Sequence, residues 1–541
     1  MLTTRPLHPS EFHQRLIKLA EIVLVLLIAV GILLSKPAIA KDASITAFVD
    51  VNVVPMDREQ VLENHTVVVV GDRIVKVGPM GGIAIPDGAE VIDGRGNYLI
   101  PGLADMHVHL NIDANPDFMR LFLAQGVTTI RNLNALPDHL VWRDQVLNGK
   151  LIGPRIYTSG PVIVGPPEAT IIWAFRVLVI LGLLALGAVL WSLLWLLQRL
   201  RGSMDDARPL RRAVLPGTLL LIVSGGVLLG TKAIPINTYT SLQYPFAYIP
   251  DTEERARAEV RRQVGAGYDL IKVYDWLTRS QYLGAIDEAR IQGIYVIAHL
   301  DHGIEGPFAT GLRESAHVDE FLDEHLVGEM SPRNFQPMPM NMDLIPQSVA
   351  SVANYDGMVV SNMVTDVITY EFLEKGSGYF GRPEYAHIRP EKIREWLGSR
   401  MVNWQGQQDW RRNTLQPFLF VMTKALHDAD VPLLIGTDVG IDGMLPVHIH
   451  RELELLVEAG LTPYEALSTA TRNAALSVKR MGRRDVFGKV ASGHRADLIL
   501  LRRNPLENIS YTRKRIGVMA RGNWYTQDDL EAMISVVIAS Y

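Results

Sequence analysis

Pro101-Gly-Leu-Ala-Asp-Met-His-Val-His-Leu110 closes an apolar run with two histidines spaced one residue apart. In a strand, alternate side chains share a face, so His107 and His109 can grip one ion from the same side. Four more ligand-type side chains end apolar runs further along. They are Lys272 in Asp269-Leu-Ile-Lys-Val273, His299 in Tyr295-Val-Ile-Ala-His299, His317 in Glu314-Ser-Ala-His317 and Asp438 in Leu433-Leu-Ile-Gly-Thr-Asp438. Short apolar runs at 103–109, 126–132, 155–160, 268–274, 294–299, 314–318, 357–363 and 432–437 alternate with helical patterns, as βα units require. A parallel barrel keeps its chemistry at the C-terminal ends of its strands, where these six side chains fall. The expected fold class is α/β, a distorted (β/α)8 TIM barrel.

With its flanking motifs the chain resembles the amidohydrolase superfamily of metal-dependent hydrolases, in the imidazolonepropionase-like and Xaa-Pro and Xaa-Arg dipeptidase-like branch. The resemblance runs from about Ala43 to about Leu530 and is broken by one insertion. It includes Gly126-Val-Thr-Thr-Ile-Arg131, Gly460-Leu-Thr-Pro-Tyr-Glu-Ala-Leu467 and Gly493-His-Arg-Ala-Asp-Leu-Ile-Leu-Leu501. It implies a composite β-sandwich built from both chain ends. Val67 to Val70, Gly71-Asp72, then Ile74 to Val77 is itself a hairpin pattern.

The resemblance also implies two divalent metal ions. His107, His109 and Asp438 would hold the first and His299 and His317 the second, with Lys272 bridging them as a carbamate. An ammonium has no lone pair, so the carbamate needs the neutral amine, which an apolar strand between Ile271 and Val273 favours. The bland alternatives are a salt-bridged strand lysine and an Asp438 that caps a helix after Gly436-Thr437. Zinc is the default ion, although the same donors suit manganese, cobalt or iron.

Two such ions answer both difficulties of amide hydrolysis, one activating a bridging water to hydroxide and the other polarising the carbonyl. Asp438 would then carry the water's proton to the leaving nitrogen. The function expected is a membrane-anchored amidohydrolase acting on a dipeptide or an N-acyl amino acid, with an amphipathic substrate as the sharper version. The same site suits a lactonase, a phosphotriesterase-like or a ring-opening hydrolase, and a barrel without turnover would be a membrane scaffold. His302 and His448 follow His299 and Asp438 closely enough to touch substrate, ahead of His325 and His450; for each the alternative is a partly solvated loop histidine. His65, His139, His387, His427 and His494 read as structural or exposed.

At 541 residues the chain exceeds one ordinary core, and a net charge of −5 argues against a nucleic-acid partner. It has no cysteine, so disulfides and thiolate ligands are excluded. Its mean hydropathy of +0.12 is high for a soluble enzyme. Three segments account for that: Leu19 to Leu34, Val177 to Leu197 and Ala213 to Thr231. The second is uncharged and about 21 residues long, which matches a hydrocarbon core of roughly 30 Å. Between the last two lie Arg199, Arg201, Arg208, Arg211 and Arg212, so that turn is cytoplasmic by the positive-inside rule and the catalytic domain faces the outer side.

The expected order is a membrane anchor or signal segment over 1–40, β-sandwich over 41–100, barrel over 101–168 and a transmembrane hairpin over 169–236. Barrel resumes over 237–485, and 486–541 completes the sandwich and the C-terminal segment. Expected partners are a small-molecule or peptide-like substrate and the lipid bilayer of the inner membrane, with an oligomer allowed. Two departures mark the pocket. The hairpin replaces the loop after the third barrel strand, and the seventh reads Val359-Val-Ser-Asn-Met363 where relatives more often carry a Thr-Leu pair.

Overall fold

The computed structural model describes residues 44–110, 115–166, 187, 247–326, 339–382, 385, 406–440 and 445–540. The chain begins with β1 (Ile45–Val53), β2 (Leu62–Val70), β3 (Arg73–Pro79), β4 (Glu90–Asp93) and β5 (Tyr98–Pro101). Its middle carries β6 (Leu103–Val108), β7 (Val127–Asn132), β8 (Arg155–Thr158), β9 (Leu270–Val273), β10 (Tyr295–Ala298), β11 (Glu314–Ser315), β12 (Met358–Val360) and β13 (Leu433–Leu434). It closes with β14 (Leu498–Leu501), β15 (Arg515–Ala520) and β16 (Asn523–Thr526).

The two chain ends meet in one eight-stranded sheet, ordered β16-β15-β14-β5-β1-β2-β3, with β4 also paired to β1. Both chain ends thus contribute strands to one hydrogen-bonded sheet, as the composite domain expected of them requires. β14 runs antiparallel to β5 and welds the ends together. β1 pairs with β4 at Thr46 to Val49 and with β5 at Asn52 and Val53. The change of partner falls at a bulge beside Asp50, whose φ is +54°. Such a bulge bends a strand enough to feed two neighbours. Phe48, Val67, Leu99, Leu498, Leu500 and Met519 form the apolar face of this sheet.

The remaining strands are all parallel and fall on the eight runs read from the sequence. β6, β7 and β8 make a three-stranded sheet and β9 to β13 a five-stranded one. No ladder joins the sheets among the described residues; single parallel bridges, Ser159 to Leu270 and Val108 to Val439, connect their edges. Side chains alternate between two clusters, as strands with both faces covered should. Ala104, Met106, Tyr157, Leu270, Tyr295, Ile297, Val360 and Leu434 pack inward. Ile130, Ile156, Ile271, Val273, Val296, Ala298 and Val359 pack outward against the helices. Helices α1 (Pro137–Leu147), α2 (Glu253–Gly265), α3 (Arg279–Gln292) and α4 (Arg472–Arg480) fix the connections. α3 starts at a capping box of Thr278 and Gln281 and stops at Gly293, whose φ of +67° suits only the end of a helix.

On the inner face lies a fully buried ion pair between Arg131 of β7 and Glu314 of β11. Arg131 donates to Glu314 Oε2 at 3.0 Å, to Ser477 Oγ at 2.9 Å and to the Met106 carbonyl at 2.8 Å. Tyr295 donates its hydroxyl to Glu314 Oε2 at 3.0 Å. Both charges have lost water but keep their partners, so removing one alone leaves the other uncompensated.

Among the described residues, no helix is long and apolar enough to cross a membrane. The apolar segments 19–34, 177–197 and 213–231 lie outside the described residues, apart from Gly187.

Two stability measurements follow from these buried polar groups. In urea unfolding, Glu314→Ala is expected to cost about 3–5 kcal/mol, and the double change Arg131→Met with Glu314→Leu markedly less. The buried His139 accepts from Leu136 N at Nδ1, and burial pushes its pKa down to about 4. Its contribution to stability is therefore present above the unfolded value of about 6.5 and lost as pH falls toward 4. Calorimetry of His139→Gln should show a pH dependence flatter across that window by up to about 1.4 kcal/mol per pH unit.

Candidate metal centre

The pairing of β6 with β7 decides where the first two histidines point. Asp105 pairs with Ile130 and Val108 with Asn132, so β6 holds one more residue than its partner across this stretch. Ala104 and Met106 face inward, and simple alternation from them would send His107 and His109 out. The extra residue reverses the alternation and turns both rings in. Their Nε2 atoms stand 3.2 Å apart. His107 Nδ1 lies 3.1 Å from the Ala316 carbonyl, which can only accept. That contact places the proton on Nδ1 and leaves the Nε2 lone pair for a cation.

Asp438 meets this pair, with Oδ1 at 2.9 Å from His109 Nε2 and 3.4 Å from His107 Nε2. Its backbone N–H donates to the His107 carbonyl at 2.8 Å, and its φ is +55°. A non-glycine residue held there costs of order 1–3 kcal/mol, which the surroundings must offset. Asp105 supplies part of that, accepting from Thr437 N at 3.1 Å and from the Thr437 hydroxyl. Gly436 leaves the space this packing needs: a Cβ there would meet His107 Cβ at 2.7 Å and Val360 Cγ1 at 2.5 Å.

Lys272 is fully buried on β9, aligned with Ile297 of β10. His299 follows β10 directly, and His317 stands two residues past β11. The His107 and His317 rings stack at 4.3 Å between centroids, and His299 meets His317 edge-on at 5.1 Å. His299 Nδ1 is held by Asp275 Oδ1 at 2.8 Å and Glu320 Oε1 at 3.0 Å. His317 Nδ1 lies 2.7 Å from the Asn362 amide. Among the described residues, Lys272 Nζ and His299 Nε2 are buried with no hydrogen-bond partner.

The electrostatics suit cation ligands. Burial, reinforced by neighbouring cationic groups, holds His107, His299 and His317 well below the usual imidazole range, so their rings are neutral. Burial also lowers Lys272 to about 8, against the pull of Glu320, Asp275 and Asp438. Burial raises Asp438, but His109, His317 and Lys272 outweigh it and keep the carboxylate ionised. Two sets of donor atoms lie close enough to hold an ion, His107 with His317 and Asp438, and His299 with His317 and Glu320. Buried, unpartnered nitrogen donors beside an ionised carboxylate are the donor set a divalent cation requires.

All six ligand-type residues singled out in the sequence lie at this end of the parallel strands. Glu320, Asp275 and Asn362 were not singled out as site residues. Nothing in one sequence marks them, since each is brought to the centre by contact with a ring delivered from another segment; Asn362 does fall in the unusual Val359-Val-Ser-Asn-Met363 segment. His302 Nε2 donates to the Leu277 carbonyl at 2.8 Å. His448 is buried, accepts from Leu445 N at 2.8 Å through Nδ1 and reaches the Tyr385 hydroxyl at 3.0 Å through Nε2. His325 and His450 are likewise buried and bonded at both nitrogens.

Residues 98–525 match the family model described as the amidohydrolase family. The chain belongs to that family. The amidohydrolase fold is shared with several solved structures. Bottromycin amidohydrolase superposes with a TM-score of 0.59 at 19% identity, covering 94% of this chain and 91% of that one. A putative prolidase from Bifidobacterium longum gives 0.57 at 20% identity, covering 91% and 99%. Among curated relatives, ochratoxinase of Aspergillus niger is 40% identical over 82 residues, 15% of this chain. Adenine deaminase 3 of Rhizobium meliloti (strain 1021) is 33% identical over 73 residues, 13% of this chain. These matches span only 16% and 12% of the two relatives' own lengths.

Gly436→Ala tests the close packing at this amidohydrolase centre. We expect it to displace His107 and weaken divalent-metal affinity about 10- to 100-fold in a chelator competition, while the far-ultraviolet circular dichroism keeps its shape.

Proposed function

We propose that this chain is a binuclear metal-dependent amidohydrolase that cleaves an amide bond in a dipeptide or an N-acyl amino acid. The observation that carries the reading is the convergence of four histidines, Asp438 and Lys272, with Lys272 Nζ and His299 Nε2 buried and unpartnered. His107, His109 and Asp438 would hold one ion and His299 and His317 the other, with Lys272 as a carbamate between them. Zinc is the default. When bound, such ions supply Lewis acidity toward the carbonyl oxygen and lower the pKa of water toward 7.

The chain's own groups do the rest. Asp275 and Glu320 fix the His299 ring through Nδ1, and the Ala316 carbonyl fixes His107, so each Nε2 is presented without reorganisation. Asp438 takes the proton of the attacking water on its carboxylate and passes it to the leaving nitrogen, which must be protonated to depart. His302 stands, in this reading, at the pocket wall, whereas His448 has both ring nitrogens occupied and supports the wall from behind. The likeness to a putative prolidase and to ochratoxinase supports an amide substrate.

In this reading the two parallel sheets, bridged at both edges, form the eight-stranded barrel. The segments 177–197 and 213–231 form a membrane hairpin, supported by their length, their lack of charge and the five arginines between them. The catalytic domain then faces the outer side of the inner membrane. The insertion starts just past β8, at the end of the strands where the metal centre lies, so an amphipathic substrate could enter from the bilayer.

Mass spectrometry of protein purified without chelators should find about two ions per chain, falling in Lys272→Ala. Asp438→Asn is expected to lower turnover at least about 100-fold in a screen of dipeptides and N-acyl amino acids. Metal-free protein, or metal content indifferent to Lys272, would remove the binuclear reading. Full activity in Asp438→Asn would remove its role as proton carrier.

A further inference from the structure

A cleft of about 480 Å³ opens at the opposite end of the parallel strands from the metal centre, between the start of β8 and the turns of the mixed sheet. Four guanidinium groups line it: Arg155 at the first residue of β8, Arg73 at the start of β3, Arg495 before β14 and Arg521 in the β15–β16 turn. Only Asp72 and Asp485 face them from the lining.

Asp485 is shared too widely to satisfy this set. Its Oδ2 accepts from the Tyr157 hydroxyl at 2.6 Å and lies 3.1 Å from both Arg155 Nε and Arg495 Nη1. Neither guanidinium N–H is aimed at it well enough to form a hydrogen bond. Arg495 is only 2% exposed, and its other nitrogens are taken by Asp497 and Thr129. Arg521 donates from Nη1 to the Val146 carbonyl. Among the described residues, Arg155 Nε and Nη1, Arg495 Nη1 and Arg521 Nε are left buried with no hydrogen-bond partner. Native proteins rarely leave buried donors of this kind unmet, and here they belong to three arginines lining one cavity.

We propose that this cleft is a binding site for a phosphate-bearing small molecule, held by Arg155, Arg495 and Arg521. Guanidinium forks match phosphate oxygens, and a phosphoryl group offers three peripheral oxygens and up to two negative charges to donors arriving from three elements. A planar carboxylate offers fewer oxygens and one charge. The volume falls in the range of small-molecule sites, about 300–1,000 Å³, and leaves room for an organic portion beside the phosphoryl group. Because the lining joins β8 to the mixed sheet, the bound ligand would tie these two parts of the fold together.

The test is calorimetric titration of the full chain with inorganic phosphate and with glycerol 3-phosphate, at an ionic strength held constant with sodium chloride. Saturable binding of the ester is expected, accompanied by a rise in melting temperature. Arg155→Gln should weaken it about tenfold or more, and Arg521→Gln should do the same from a separate element. Asp485→Asn, which removes the competing carboxylate, should tighten it. Metal content should stay at the wild-type level in all three, which separates this site from the centre at the other end of the strands. Equal affinity for both probes would identify free phosphate as the ligand, whereas preference for the ester would identify an organic phosphate. Absence of binding by either probe, or affinity unchanged in both arginine variants, would overturn the proposal; if Arg155→Gln fails to fold, Arg521→Gln decides it.

Discussion

One additional residue between Asp105 and Val108 reverses the side-chain alternation of β6, and the arrangement of the candidate metal centre depends on that reversal. It brings His107 and His109 onto the inner face while leaving Ala104 and Met106 there as packing. Once His107 is in place its backbone carbonyl receives Asp438 N–H and its Cβ takes the space beside Gly436. Asp438 is then held at φ +55° with its carboxylate against both rings. A regular strand would have supplied the same residues on the wrong side of the sheet.

The inner face separates two kinds of buried polar group. Arg131 and Glu314 neutralise each other in a network whose donors and acceptors are satisfied. Lys272 Nζ and His299 Nε2, by contrast, are buried without partners among the described residues. The first arrangement is what a structural core tolerates, and the second is what a site awaiting a ligand retains. Sequence position alone does not distinguish them, since Arg131 and Lys272 each follow an isoleucine in a short strand segment.

The eight parallel strands and the six ligand-type residues were legible because strand ends, apolar runs and ligand side chains coincide in the sequence. What was not legible depends on pairing between distant segments. Glu320 and Asp275 reach the site through their contacts with His299, and the change of β1 from β4 to β5 coincides with a bulge beside Asp50. His448 looked available for substrate from its distance to Asp438, yet Leu445 and Tyr385 occupy both of its ring nitrogens. The arginine cleft escaped for the same reason, since Arg73, Arg155, Arg495 and Arg521 share no motif.

The antiparallel pairing of β5 with β14 bears on the order in which the molecule is assembled. The first five strands leave the ribosome roughly 400 residues before their central neighbour, at a synthesis rate of about 5–20 residues per second. For at least about 20 s the β5 edge presents unpaired N–H and C=O groups to any strand that passes. Until its last strands arrive, that edge is a place where one copy of the chain can pair with another.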